Sequence, residues 1–289
     1  MDAVWVSGEA LIDLLPGQPS VGGGPANTAK ALANLGMTTS FVGGISSDEY
    51  GSLISTELDS YGVDLGLVNR SNLPTALAVV SLDENGSASY EFKLDKTATF
   101  DFAGWLPSGA PAVLHVGTLA TIVEPGASDL FEWASGLSDL GVKIVFDPNV
   151  RSSYLSYVDL YRSFFEQWVG ISDVVKASIE DLEFLGYSVD EVLDLGAELL
   201  VVTKGGEGLV GYMKDVEVAV PGVSVSVVDT VGAGDTVGAV LVEGIVKYGE
   251  LNFENLEIVL SRAAVAAAIT CTRSGAKPPT LVELESYFR

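Results

Sequence analysis

Val227-Val228-Asp229-Thr230-Val231-Gly232-Ala233-Gly234-Asp235 closes a β-branched run and passes at once into an apolar, helix-compatible stretch. Read physically, it is a strand, a glycine-rich turn and the start of a helix. Glycines at 232 and 234 let the backbone approach an anion without Cβ clashes, and the first free N–H groups of the helix, at its positive end, then point at that anion. Outward from this turn, β-branched runs at 4–6, 40–42, 112–116, 143–146, 173–175 and 199–203 read as buried strands. They alternate with helical patterns at 25–35, 48–61, 129–140, 158–169, 178–185, 234–248, 256–272 and 281–288. Such alternation predicts a mostly parallel sheet covered by helices on both faces, with ligands beyond the carboxyl ends of the strands.

One segment departs from the pattern. Runs at 77–82 and 87–93 flank Asp83-Glu84-Asn85-Gly86, whose Asn-Gly pair suits a tight hairpin turn. With 11–15 they form a small accessory sheet, too small for its own core and therefore a flap on the main body. The expected organisation is one domain over 1–289 with a β lid drawn from about 10–18 and 76–100. Exposed edges on such a flap are a route to a homodimer.

Composition narrows the function. The 289 residues carry 39 acidic against 15 basic side chains, a formal net charge of −24, so the mean field repels polyanions and nucleic acid is not expected as a partner. An anionic ligand must then be held by backbone amides, a few placed cations and a divalent metal. No run of about 18 uncharged apolar residues occurs, so neither a membrane span nor a membrane partner is expected. The single cysteine, Cys271, and single histidine, His115, provide neither a disulfide nor a clustered zinc set. A reducing cytoplasm fits this usage. His115, on a predicted buried strand, reads as a hydrogen-bonded core residue, and Cys271 as packing.

Phosphoryl transfer asks a protein for positioning, for charge stabilisation and for a group that accepts the hydroxyl proton. Asp235, at the mouth of the amide cradle, can be that base. For Gly-Ala-Gly-Asp alone, a helix cap on a turn is an equal reading. The nine-residue context, with acids at 229 and 235 bracketing the glycines, tips the balance.

That context resembles the second signature of the ribokinase-like (PfkB) carbohydrate kinases, D-T-x-G-A-G-D, at all its fixed positions. Gly22-Gly23-Gly24-Pro25-Ala26-Asn27-Thr28-Ala29, continuing through Leu35-Gly36, Val42-Gly43 and Asp48-Glu49-Tyr50-Gly51, resembles the first. The similarity runs from Gly8 to about Pro279. It implies a three-layer α/β/α sandwich with a mostly parallel central sheet and a small β-sheet lid, with ATP and Mg2+ as cofactors and K+ as a candidate monovalent cation. Thr236-Val237 departs from the small residue and Phe usual in relatives.

The resemblance also distributes roles. Asp235 with Gly232, Ala233 and Gly234 forms the catalytic group. Gly8-Glu9-Ala10-Leu11-Ile12-Asp13 looks like the opening of the fructokinase branch, so Asp13 receives sugar hydroxyls, a task suited to a carboxylate that accepts several hydrogen bonds. Gly23, Gly24 and Asn27 join it, with Tyr90 and Phe92 from the flap. Asp147-Pro148-Asn149-Val150-Arg151 is similar to the D-x-N-x-R motif and places Arg151 on substrate oxygens. On the nucleotide side, Lys176-Ala177-Ser178-Ile179-Glu180-Asp181 stands where the N-x-x-E motif is expected, giving Lys176 to the nucleotide and Glu180 and Asp181 to magnesium through water, although Ser178 replaces Asn and Asp181 replaces Glu. Thr203, Gly205 and Gly208 match the T-x-G-x-x-G turn beside the phosphates. Thr230, Gly232, Gly234, Ser274 and Gly275 complete the nucleotide set, and Asp229 is the candidate for the monovalent cation.

The expected reaction is transfer of the ATP γ-phosphate to a primary hydroxyl, with D-fructose giving fructose 6-phosphate. The alternatives are a 2-keto-3-deoxygluconate kinase, which needs an extra cation such as Lys93 or Arg151, and a non-catalytic sugar or nucleotide binder. A dehydrogenase is disfavoured because Gly8-Glu9-Ala10, not G-x-G-x-x-G, follows the first strand.

Overall fold

The computed structural model describes residues 3–14, 19–82 and 88–288, with residues 80–82 and 88–90 described by their backbone alone. The expected Asn-Gly turn and the end of the first flap strand lie outside the described residues. In chain order the strands are β1 (Val4–Ser7), β2 (Leu11–Leu14), β3 (Pro19–Gly22), β4 (Thr39–Val42), β5 (Gly44–Ser46), β6 (Asn69–Ser71), β7 (Leu77–Leu82), β8 (Ala88–Lys93), β9 (Val113–Gly117), β10 (Lys143–Asp147), β11 (Val174–Ser178), β12 (Leu199–Thr203), β13 (Gly208–Met213) and β14 (Val216–Pro221). The helices are α1 (Gly24–Asn34), α2 (Glu49–Ser60), α3 (Gly126–Asp139), α4 (Val158–Val169), α5 (Ile179–Leu185), α6 (Val189–Asp194), α7 (Ala233–Tyr248), α8 (Phe253–Cys271) and α9 (Leu281–Ser286).

The central sheet runs β14-β13-β12-β11-β10-β9-β1-β4. From β4 to β12 every neighbouring pair is parallel, and β13 and β14 close the far edge antiparallel. Alternation along each strand supplies both faces. Val4, Val6, Val145 and Val201 enter one core with α1, α7 and α8, while Trp5, Leu114, Phe146 and Val202 enter the other with α3, α4 and α5. In the second core Trp168 stacks on Phe146 at 5.8 Å and meets Phe131 edge-on at 5.3 Å. Each such ring, fully buried, contributes roughly 1.5–3 kcal/mol of apolar burial. The three-layer fold expected from the alternation is present.

β1 lies between β9 and the edge strand β4, so later strands are added on both sides of it. The crevice beyond the carboxyl ends of β1 and β9 is where a parallel sheet of this kind receives ligands.

The accessory sheet has the order β3-β2-β7-β8. It holds the three expected strands and one more, β3, which the sequence pattern missed because Pro19 and Gly22 are poor strand formers. β3 runs directly into the Gly23 turn and α1, so the glycine loop is an extension of this sheet. The pattern also missed the short pair β5 and β6, the helix α6, and the hairpin of β13 and β14. Val218 and Glu217 alternate in β14 with one half-buried face, a signal that the surrounding glycines obscured.

Candidate active site

Asn27, Asp235, Gly24, Asn149, Lys176 and Asp147 come together beyond the carboxyl ends of the strands. α7 opens at Gly232, whose φ is +81° and which makes no side-chain cap. A Cβ there would lie 2.6 Å from Ala276 Cβ, so the turn can pass this close to the 272–276 loop only as glycine. Ala233 N donates to Thr230 O at 3.2 Å and Thr236 N to Gly232 O at 2.9 Å. The amides of Gly234 and Asp235 have no acceptor among the described residues, which leaves the first turn of α7 open to an anion.

Asp235 is 7% exposed. Its Oδ2 accepts Asn27 Nδ2 at 2.9 Å, and its carbonyl accepts Thr28 Oγ1 at 3.3 Å. The side chain therefore addresses α1 across the cleft and bonds no amide of its own helix, which removes the cap reading. Burial holds the carboxyl above its ordinary value, opposed by the Asn27 hydrogen bond and the charges of Lys176, Arg151 and Lys30. Asn27 Oδ1 is buried without a partner among the described residues. A Cβ on Gly24 would stand 3.2 Å from Asp235 Oδ1 and 3.3 Å from Asn149 Nδ2. Gly24 thus marks a point where three loops converge.

Lys176, at 3% exposure, reaches from β11 toward the same turn, and a Cβ at Gly234 would be 3.1 Å from its Nζ. It pairs with Asp147 Oδ2 at 2.8 Å. Burial works against the Lys176 charge, but Asp147, Asp181 and Asp235 outweigh it and hold the ammonium above its ordinary value. Burial pushes Asp147 up to about 6, with Lys176 opposing, so the pair is charged at neutral pH. Asp147 Oδ1 is buried without a partner among the described residues.

On the acceptor side, Asp13 in β2 faces the gap left by Gly22, where a Cβ would come within 2.1 Å of its Oδ2. Burial raises its pKa, and the charges of Arg151 and Lys30 lower it. Arg151 Nη1 donates to Asn149 Oδ1 at 2.6 Å and to the carbonyls of Asn149 and Val150. From β8, Phe92 meets Tyr154 edge-on at 6.2 Å, tying the accessory sheet to the loop after β10. The side chain of Tyr90 lies outside the described residues.

Asp181 has a structural task that its sequence context already signalled. With Ser178 it forms a capping box on α5, and its Oδ1 accepts Val150 N at 2.7 Å. Ser-x-x-Asp before a helix is the capping-box pattern. Glu180 beside it is exposed. Asp229 accepts Val231 N at 3.1 Å and Gly275 N at 2.8 Å, clasping the two loops that carry Thr230 and Ser274. Thr203 ends β12, and Gly205 opens the turn to β13. Gly208, at φ +112°, is required by β14, since a Cβ would lie 2.1 Å from Val220 O.

His115 corrects the expectation of a hydrogen-bonded core residue. It is 1% exposed, but neither ring nitrogen has a partner among the described residues. Burial, and then the charge of Lys176, push its pKa down to about 3, so the ring is neutral. Gly238, one turn after Asp235, makes room for it: a Cβ there would sit 3.1 Å from Nε2.

The model of the pfkB family carbohydrate kinases matches residues 17–282. The chain belongs to this family. This kinase is 31% identical over 305 residues to the fructokinase of Escherichia coli, with 98% of each chain covered. Among solved structures, the fructokinase from Xylella fastidiosa with bound ATP matches with a TM-score of 0.91 at 27% identity, covering 99% of this chain and 97% of that one. A fructokinase double mutant from Vibrio cholerae O395, bound to fructose, ADP and potassium ion, matches with a TM-score of 0.88 at 28% identity, covering 100% and 99%. No helix among the described residues of this kinase is long and apolar enough to cross a membrane. Glu9, Thr118 and Lys30 are the buried polar groups around the site that sequence reasoning passed over.

Proposed function

We propose that this kinase transfers the γ-phosphate of ATP to the primary hydroxyl of D-fructose, with Asp235 as the general base. The observation that carries the assignment is the placing of a buried carboxylate, oriented by Asn27 at 2.9 Å, on the same helical turn as two free amides. As the hydroxyl oxygen forms its bond to the γ-phosphorus, its proton passes to Asp235. The bond from the γ-phosphorus to the bridging oxygen breaks, and ADP leaves with the electron pair. The amides of Gly234 and Asp235, with the Lys176 ammonium, face the charge that spreads over the moving phosphoryl group. Asn27 holds Asp235 ionised and aimed.

Asp13 and Arg151 take the sugar hydroxyls, with Gly23 and Gly24 allowing close backbone approach. The sheet of β2, β3, β7 and β8 acts as a lid that limits water as a competing acceptor. Thr203, Gly205, Thr230, Ser274 and Gly275 border the nucleotide. Fructose follows from the fructokinase relatives.

Magnesium and potassium belong to the same proposal. Among the described residues no three acidic, histidine or cysteine side chains cluster as a metal centre, and the donors present fit an ion carried in on phosphate oxygens. Asp147 Oδ1 is buried and unpartnered among the described residues, and Glu180 and Asp181 lie at the start of α5. Bound magnesium supplies positive charge to the phosphates. Asp229 is the candidate to order the loops around potassium. A homodimer through a lid edge and a cytoplasmic location complete the reading.

An ADP-coupled assay across fructose, ribose, 2-keto-3-deoxygluconate, adenosine and fructose 6-phosphate tests the substrate. Fructose is expected to give the highest kcat/KM. Absence of fructose turnover refutes it as the acceptor.

A further inference from the structure

Glu9 takes no part in the chemistry above, yet it is 2% exposed at the end of β1, in the crevice itself. Its Oε2 accepts the Ala120 amide at 3.1 Å, and its Oε1 accepts Thr118 Oγ1. Burial pushes the carboxyl up to about 7, with the Thr118 hydrogen bond foremost among the opposing influences. A polar group withdrawn this far from water is ordinarily replaced by an apolar one unless its partners need it.

Thr118 is the partner with the need. Its φ is +56°, a left-handed backbone that a β-branched residue adopts only under constraint. Such outliers are kept where the surroundings over-determine them, commonly at active sites. Its position shows what the constraint secures. Thr118 Cγ2 lies 2.8 Å from the point a Cβ on Gly24 would occupy, the same point that stands 3.2 Å from Asp235 Oδ1 and 3.3 Å from Asn149 Nδ2. The Thr118 methyl is therefore one wall of the space into which the base faces. A relaxed backbone at 118 would swing that wall.

We propose that Glu9 is a positioning residue for phosphoryl transfer: by holding Thr118 Oγ1 and the Ala120 amide it fixes Thr118 in the left-handed conformation, and through that wall it sets the space between Gly24, Asn149 and Asp235. The inference rests on the kinase reading, and wild-type turnover is measured first. An enzyme inactive on every sugar removes the reaction and the proposal together, without reference to any Glu9 variant.

With an active wild type, Glu9→Ala is expected to lower kcat about tenfold to a hundredfold, as a displaced active-site wall does, while KM for ATP holds. Glu9→Gln retains most of the activity, because an amide still accepts from Ala120 and pairs with the Thr118 hydroxyl. The deciding comparison is Glu9→Ala against Glu9→Gln. Glutamine restores the grip on Thr118 and Ala120 and with it the methyl wall, so kcat should return while KM for ATP is the same in both variants, a split that general destabilisation does not produce. Wild-type kcat in Glu9→Ala, or a Glu9→Gln no more active than Glu9→Ala, overturns the proposal. Should Glu9→Ala fail to fold, Thr118→Val reads the same bond from its other end, since valine keeps the methyl and loses the hydroxyl that Glu9 holds. Its kcat is expected to fall as in Glu9→Ala with KM for ATP unchanged, and wild-type kcat in Thr118→Val overturns the assignment.

Discussion

Around Asp235 the polar side chains are almost wholly withdrawn from water, whereas on the nucleotide side Val227, Val228 and Val231 are 62%, 63% and 52% exposed. The surroundings of Asp235 are built from side chains: Asn27, Thr118, Asp147 and Lys176 are each 7% exposed or less. The nucleotide side is built from backbone, with Gly205 and Gly275 at positive φ and Asp229 used as a clasp between loops. The two halves meet different demands. Proton transfer requires a base fixed to within a fraction of an ångström in a dry setting. A nucleotide brings a large surface of its own and needs open amides.

The comparison is broken most severely at Asp235. Asp235→Asn keeps the shape and removes the base, so kcat should fall about a hundredfold to ten-thousandfold, with nucleotide affinity by calorimetry unchanged. Gly232→Ala and Gly205→Ala then set the two halves side by side. At 232 the new carbon meets Ala276 Cβ at 2.6 Å with φ +81°, and a loss of about 2 kcal/mol or more in unfolding free energy is expected, with a large fall in kcat. At 205 nothing lies within 4 Å and φ is +54°, so only the backbone cost of about 1 kcal/mol applies, with kcat nearly intact.

Asn27→Ala is a smaller break. Loss of the bond to Asp235 should lower kcat about tenfold. It should also move the pH profile, with a sign that follows from the burial of the base. Asp235 must be ionised to accept a proton, and its folded pKa is raised, so activity is lost as pH falls, starting above the ordinary aspartate range of about 3.9. Asp147, pushed up to about 6, protonates in the same direction. Removal of the Asn27 bond, which favours the carboxylate, shifts the acidic limb of kcat/KM to higher pH. An unmoved limb separates Asn27 from the base.

Much of this was legible along the chain because turn-helix punctuation is local, although Val227 and Val228, expected in a strand, lie in exposed irregular chain after β14. The glycines of the α7 turn, the D-x-N-x-R loop and the alternation of buried strands all announce themselves within a few residues. What was hidden is tertiary. Glu9 and Thr118 meet across 109 residues, and the space His115 occupies depends on Gly238 on another element. Asp181 was legible in two ways, since Ser-x-x-Asp before an apolar run is also a helix cap. The edge hairpin of β13 and β14 was masked by Gly205, Gly206 and Gly208, which punctuate the chain where the sheet continues.

The central claim is geometric, and a crystal structure of the kinase with fructose and a non-hydrolysable ATP analogue tests it most directly. The account predicts an Asp235 carboxylate oxygen about 2.6–3.2 Å from the primary hydroxyl, with γ-phosphate oxygens on the amides of Gly234 and Asp235. A sugar bound with that hydroxyl turned away from Asp235, or a γ-phosphate held away from the first turn of α7, contradicts it.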